Sequence, residues 1–241
     1  MTRLAVVADI HGNLPALEAV VADAQAQGCT AFVNLGDSLS GPLWLAETAD
    51  YLIARDWPTI AGNHERQLRE RTPQPMYASD AFTLERLTDA HRAWIAAQPA
   101  VLHWSPELFL CHGSPDDDLC FLLEDLTDRG MRLAAPETVA QRLGDRPERL
   151  TLCGHSHRPA VLPLGDGRIV ANPGSVGLQA YAETAQVRTQ TGSPDARYAI
   201  VEQGEVTLRM VAYDHARAAD KAEREGFAGW AAALRTGCYA A

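Results

Sequence analysis

The stretch LAVVADIHGNLPALEAVVADAQAQGCTAFVNLGD, residues 4–37, decides the fold. Leu4–Ala8 is a short apolar run stopped by Asp9, which is the pattern of a buried strand. Asn13 can cap a helix and Pro15 is tolerated in a first helical turn, so Asn13-Leu14-Pro15 opens an Ala-rich helix that runs to about Gln27 and closes at Gly28. Ala31–Leu35 is the next strand, ending at Gly36-Asp37. Strand, polar motif, helix, strand and polar motif make a parallel α/β unit, and such folds place ligands at the carboxyl ends of strands.

The same rhythm continues outward. A helix is expected from about Leu43 to Arg55, and Thr59–Ala61 leads into Gly62-Asn63-His64. Residues 64–98 read as helical in two pieces, broken by Thr72-Pro73-Gln74-Pro75. In the second piece Leu84, Leu87, His91, Trp94 and Ile95 share a face, so His91 reads as a packing histidine. Leu108–Cys111, Leu150–Cys153, Pro159–Leu164, Arg168–Ala171, Tyr198–Glu202 and Val206–Tyr213 read as strands, with Asp166-Gly167 as a hairpin turn. Asp214 caps a C-terminal helix with Phe227, Trp230, Ala231 and Leu234 on one face. Thr184–Asp195 reads as a polar loop, and neither His103 nor His215 lies in a motif. With no linker, repeat or low-complexity segment, residues 1–241 are expected to form a single α/β domain.

A hydrophobic fraction of 46% supports a sizeable core. The net charge of −10 argues against stable nucleic-acid binding, which needs basic stripes. Cys29, Cys111, Cys120, Cys153 and Cys238 form an odd set without a CxxC pair, so a reducing cytoplasm fits better than a secreted disulfide framework. Cys111 and Cys153 end apolar runs and read as small buried strand residues. The N-terminus lacks the apolar length of a signal peptide, and no apolar run is long enough to span a membrane.

Eight histidines occur, and five of them sit in short motifs: Asp9-Ile10-His11, Gly62-Asn63-His64, His112-Gly113 and Gly154-His155-Ser156-His157, with Gly36-Asp37 between the first two. Together these motifs offer two carboxylates, one amide oxygen and four or five imidazoles. That is enough for two adjacent metal sites with a histidine to spare. The mixed oxygen and imidazole set suits Mn, Fe, Zn, Co or Ni better than Ca or Mg. In an extended D-x-H or H-x-H segment alternate side chains point the same way, so each pair can reach one cluster. A structural zinc site fails on ligand type, because no cysteine has ligand spacing.

In order and kind, DIHGN, GD, GNHE, HG and GHSH resemble the calcineurin-like metallophosphoesterases, with the match spanning residues 9–157. NPGSVG at 172–177 is a further feature shared with the small bacterial members. The resemblance implies two facing mixed β-sheets flanked by helices in a four-layer sandwich, with a dimetal site on one edge. It implies a hydrolase of phosphoric esters in which a metal-bridging hydroxide attacks phosphorus. Carried over residue by residue, it assigns Asp9, His11, Asp37 and His157 to one ion and Asp37, Asn63, His112 and His155 to the other, with Asp37 bridging. His64 resembles the proton donor to the leaving oxygen. Two divalent ions less two carboxylates and one hydroxide leave about one positive charge to attract a phosphate, and Asn63 matters because an aspartate there would neutralise it.

One departure bears on substrate. Protein phosphatases of this superfamily resemble one another in a GDxxDRG segment, whereas this chain reads Gly36-Asp37-Ser38-Leu39-Ser40-Gly41-Pro42, with no second Asp and no Arg. That points to small phosphodiesters, with phosphomonoesters (phosphoproteins included) as the alternative. Arg66, Arg69 and Arg71 follow the GNH motif; Arg66, with Asn13 and Asn63, is a candidate substrate contact, while a solvated helix face accounts for most of the arginines. A rival from another class is a non-catalytic scaffold, as in trafficking proteins that resemble these enzymes but lack their catalytic residues. This chain retains every ligand position and His64.

Overall fold

The computed structural model describes residues 3–184 and 186–239. Strand β1 (Leu4–Val7) is buried along its whole length because its alternate side chains serve two cores. Ala5 and Val7 pack with Leu17, Val20 and Val21 of helix α1 (Leu14–Ala26). Leu4 and Val6 point the other way, into a second apolar cluster. Helix α1 starts as its sequence dictates: Asn13 Oδ1 accepts from Ala16 N at 3.3 Å, and Pro15 lies in the first turn. Strand β2 (Ala31–Asn34) then runs parallel to β1, pairing Leu4 with Ala31 and Val7 with Asn34.

Helices α2 (Leu45–Arg55), α3 (Asn63–Glu70), α4 (Ala78–Leu84) and α5 (Asp89–Ala97) follow. Residues 64–98 therefore hold three helices rather than two. The additional break comes at Thr88, whose Oγ1 accepts from His91 N at 3.3 Å while His91 Nδ1 accepts from Thr88 N at 3.3 Å. This is a capping box closed by a histidine, and it starts a new helix. His91 is buried, with Nε2 2.9 Å from Asp50 Oδ1, consistent with a packing role.

The remaining strands are β3 (Val101–Ser105), β4 (Leu108–Cys111), β5 (Glu124–Thr127), β6 (Gly130–Leu133), β7 (Leu150–Leu152), β8 (Ala160–Pro163), β9 (Ile169–Asn172), β10 (Ala180–Ala182), β11 (Arg188–Gln190), β12 (Ala196–Glu202) and β13 (Glu205–Val211). The remaining helices are α6 (Pro136–Leu143), α7 (His215–Arg224) and α8 (Ala228–Thr236). The expected single C-terminal helix is thus two, parted near Gly226, whose φ of +88° no helix continues through. The stretch read as a polar loop holds β11, which pairs with β10, and Ala185 within it lies outside the described residues.

Two mixed sheets result. One has the order β13-β12-β1-β2, the other β3-β4-β7-β9-β8, and each combines parallel with antiparallel pairs. They face each other across one apolar cluster, in which Leu4, Val6, Val33 and Leu35 of the first meet Leu108, Leu110, Leu150 and Leu152 of the second. Burying each such side chain contributes about 1.5–3 kcal/mol. On the far side of the second sheet, Phe109, Cys111, Cys153 and Val170 pack with Val139 and Leu143 of α6. The layers run helix, sheet, sheet, helix, and the parallel strands β1, β2, β4 and β7 bring their carboxyl ends to one edge.

Candidate active site

At that edge the polar motifs meet. Asp9 and His11 follow β1, Asp37 follows β2, His112 follows β4, and His155 and His157 follow β7, while Asn63 opens α3. Five of these residues, Asp9, His11, Asp37, His155 and His157, hold φ between +52° and +67°. Left-handed backbone at a non-glycine residue costs on the order of 1 kcal/mol or more and persists only where the surroundings enforce it. Here they do. Asp9 N donates to Gly36 O and His11 N to Asp37 O, both at 3.0 Å, so the first two motif loops are zipped together. The 172–177 segment clamps them: Ser175 Oγ donates to Asp9 O at 2.8 Å, and Gly177 N donates to the same oxygen at 3.0 Å. At Gly177 a Cβ would lie 1.8 Å from Ile10 O, so only glycine permits this approach. Asn172 Nδ2 reaches Gly154 O at 2.6 Å and ties the clamp to the His155–His157 loop.

The ligand-type atoms form two triads, Asp9/His11/His157 and Asp37/His112/His155, each with its atoms within 4.8 Å of one another. The triads adjoin through His112 Nε2, which lies 3.1 Å from Asp37 Oδ2 and 4.0 Å from Asp9 Oδ1. Three imidazoles are fixed from behind, with His11, His112 and His157 each placing Nδ1 2.7 Å from a backbone carbonyl (Ser40, Leu35 and Leu178). Those carbonyls require N–H at Nδ1, so each Nε2 lone pair faces the cluster. His155 is reversed: Nε2 meets Leu119 O at 3.2 Å, so Nδ1 faces inward.

This donor set fits divalent cations. His11 Nε2 and His157 Nε2 lie 3.1 Å apart, two lone pairs that repel each other unless a cation sits before them. Asp9 is fully buried and its Oδ2 has no hydrogen-bond donor. Asn63 can turn either amide atom inward; its oxygen then lies 3.1 Å from His112 Nε2, and a cation requires that orientation. Electrostatics agree. Burial holds His11 down at about 4 and, with His112, holds His155 down at about 3, so both are neutral donors at pH 7. Burial opposes charge on His112 too, yet Asp37 and Asp9 draw it up to about 10, which marks a point where positive charge is favoured.

His64 belongs to neither triad. Its Nδ1 lies 2.8 Å from Asp80 Oδ1, and Asp80 is fully buried. This contact leaves Nε2 free. Burial disfavours the imidazolium, but Asp37 and the Asp80 hydrogen bond outweigh it and hold His64 up at about 9. Glu65 is buried as well and accepts three backbone N–H bonds, from Gly62, Asp37 and Ser38, each at 2.8 Å. It therefore locks the Gly36-Asp37 loop to the start of α3.

Two of the residues expected to contact substrate have side chains held by other partners. The Asn13 side chain caps α1 and donates to Gly177 O at 2.9 Å and Tyr213 Oη at 3.0 Å, which exhausts its amide away from the cleft. Arg66 is held by Asp118 in a two-pronged pair at 2.6 and 2.8 Å, leans on Glu70, and does not line the cleft. Asp80 and Glu65 are the residues that sequence reasoning missed. Glu65 had a usable signal, as the third position of a helix whose preceding glycine offers a free N–H.

A third buried carboxyl supports the His155–His157 loop from below. Ser156 Oγ donates to Glu124 Oε1 at 2.8 Å, and Glu124 is 2% exposed. Burial pushes the Glu124 carboxyl up from 4.5 to about 7, against the pull of Ser156, Arg158 and Arg142. Between those values the unfolded chain has released this proton while the folded chain keeps it, so stability falls as pH rises through the window, by about 3 kcal/mol. Glu124→Gln retains the acceptor and removes the titration. Relative to wild type it should gain stability between pH 5 and pH 8, read by urea unfolding at the two pH values. A wild-type-to-variant difference that does not change with pH would refute the assignment.

The cleft over the two triads encloses about 490 Å³. A profile of the calcineurin-like phosphoesterase superfamily domain matches residues 2–193, and so covers every residue of the two triads, Asn63 and His64. The chain belongs to that superfamily. It is a metal-dependent phosphoester hydrolase by family, and its α/β fold with two mixed sheets is the family's fold. A metallophosphoesterase from Sphaerobacter thermophilus superposes with a TM-score of 0.75 at 24% identity, covering 98% of this chain and 99% of that one. A hypothetical protein from Pyrococcus horikoshii OT3 gives 0.72 at 21% identity, with 94% of each chain covered. A protein serine/threonine phosphatase from Saccharomyces cerevisiae is more distant, at 0.52 and 13% identity over 87% of this chain and 79% of that one. A comparison with curated proteins finds no match. Among the described residues no helix is long and apolar enough to cross a membrane.

Proposed function

We propose that this chain, acting as one unit, hydrolyses small phosphodiesters with two divalent ions and His64 as general acid. The observation that carries the reading is the pair of adjoining buried triads with the His64–Asp80 pair beside them. Asp9, His11 and His157 would hold one ion and Asn63, His112 and His155 the other, with Asp37 reaching both. Manganese, iron, zinc, cobalt and nickel suit this set. When bound, such ions supply Lewis-acid stabilisation of phosphoryl charge and an activated water.

The chain's own work is to hold the ligands in register, to exclude bulk water and to deliver a proton. Asp80 takes the Nδ1 hydrogen of His64, which aims Nε2 at the leaving-group oxygen of an ester seated over the triads. Preference for a diester follows from charge. Among the described residues no lysine or arginine lines the cleft, and both Arg66 and Arg158 lie outside its walls. A diester carries a single negative charge, whereas a monoester dianion needs more cationic help. All five cysteines are free, which fits a reducing, cytoplasmic setting, and the net charge of −10 disfavours nucleic-acid substrates.

With Mn²⁺, the purified protein should cleave bis-p-nitrophenyl phosphate readily and phosphopeptides poorly. A clear preference for phosphopeptides in a side-by-side kcat/KM comparison would overturn the diester reading and leave the dimetal centre intact. Full occupancy of both sites without turnover of any phosphoester would favour the scaffold reading instead.

A further inference from the structure

Each of four histidines at the floor of the cleft meets an aromatic ring that also lines its wall. Trp230 and His11 meet in a T-shaped contact at 5.7 Å and 78°, and Phe121 stacks on His155 at 4.5 Å and 18°. Tyr181 meets His157 at 4.8 Å and 75°, and Tyr77 meets His64 at 6.3 Å and 65°. Phe227 joins Trp230 in the wall and packs edge-on against Phe82 at 5.4 Å. Beyond the ligand cluster and His64, Glu183 is the one formally charged residue lining the cleft among the described residues. An ester group extending from the triads past His64 thus meets aromatic rings, no lysine or arginine, and one carboxylate. Trp230 and Phe227 lie on and beside α8, beyond residue 193 where the superfamily profile ends. This side of the cleft is built by the chain's own C-terminal region.

We infer that the substrate is a singly charged phosphodiester whose retained ester group bears a flat ring, and that Trp230 and Phe227 select it. This rests on the phosphodiesterase reading above. Aromatic faces reward a planar ring through offset stacking and burial of its area, and give little to a methyl group. A chain of further phosphates would meet Glu183 with nothing to pair with. Trp230 is held for this task, since a Cβ at Gly41 would lie 2.8 Å from its ring and glycine there lets the indole settle against the backbone.

The test keeps p-nitrophenol as the leaving group and varies the other ester among methyl, phenyl and 5′-thymidyl, all with Mn²⁺. The phenyl and thymidyl arms separate a bare aryl group from a nucleoside. At least one should exceed the methyl ester in kcat/KM by about tenfold or more. That ratio should fall towards one in Trp230→Ala and in Phe227→Ala, and should be restored in Trp230→Tyr. Independently of turnover, saturation-transfer NMR should show diphenyl phosphate bound to wild type more tightly than dimethyl phosphate, with the difference reduced in Phe227→Ala. Brisk turnover with a ratio near one in wild type, or a ratio that both alanine variants leave unchanged, overturns the aromatic selection alone. Absence of turnover on every ester overturns the diesterase reading beneath it.

Discussion

Asp37→Ala should leave the purified protein with at most one tightly held metal ion per chain and should cut kcat/KM by about 10³-fold or more. The size follows from what the ions do. Stabilisation of phosphoryl charge is worth several kcal/mol, and each 1.36 kcal/mol is tenfold in rate. Asp37 is 2% exposed, its Oδ2 lies 3.1 Å from His112 Nε2, and its Oδ1 accepts from His64 N at 3.0 Å. No other carboxylate belongs to its triad. Burial opposes its charge, yet His112 and His64 hold its carboxyl well below the usual carboxylate range. Backbone strain is the complication: at φ of +53° alanine is less tolerated than aspartate. Asp37→Asn resolves it, because asparagine accepts the left-handed region and keeps one oxygen but not the charge. Metal analysis by mass spectrometry on both variants decides the matter. Two ions retained at full occupancy in either would sink the bridging assignment.

What the sequence made legible was local. The β1-α1-β2 unit could be read because period-two burial, an asparagine cap, a first-turn proline and a closing glycine all act within a few residues. The hairpin of β5 and β6 escaped the reading because it has little apolar face of its own, with Leu126 and Leu133 about half exposed among charged neighbours. The helix break at Thr88 was missed because a histidine closes its capping box where glutamate or glutamine is the usual signal. At Asn13 the cap was legible, but its bonds to Gly177 and Tyr213, more than 160 residues away along the chain, were not.

The site followed the same division. The ligand types were legible because D-x-H and H-x-H place alternating side chains together, and the structure gathers those residues into two triads. Their support was not legible. Asp80 lies 16 residues beyond His64 and past a break with two prolines, so no periodicity links them. Arg66 looked free in sequence and is paired with Asp118, 52 residues downstream. The 172–177 segment was visible as a motif, but its use as a clamp on Asp9 arises only when β9 comes to rest near β1.

His64→Ala should keep both ions and lose about 10²- to 10⁴-fold in rate on esters with poor leaving groups, the range expected for a general acid. Retention follows because neither triad includes His64, and its link to Asp37 runs through the backbone N–H, which alanine preserves. The substitution therefore isolates the ring. If the ring protonates the departing oxygen, the loss must shrink as that oxygen becomes a better leaving group on its own. A p-nitrophenyl ester should show much less of the effect than a methyl ester, and the dependence of rate on leaving-group pKa should steepen in the variant. Asp80→Asn extends the test. Its amide nitrogen can donate to Nδ1 where the carboxylate could only accept, which turns the His64 hydrogen outward to Nε2 in the neutral ring and removes the charge that favours imidazolium. An intermediate loss with the same leaving-group dependence is expected. Equal losses for good and poor leaving groups in His64→Ala would show that the ring shapes the cleft or grips the phosphoryl group, and would remove it from proton transfer.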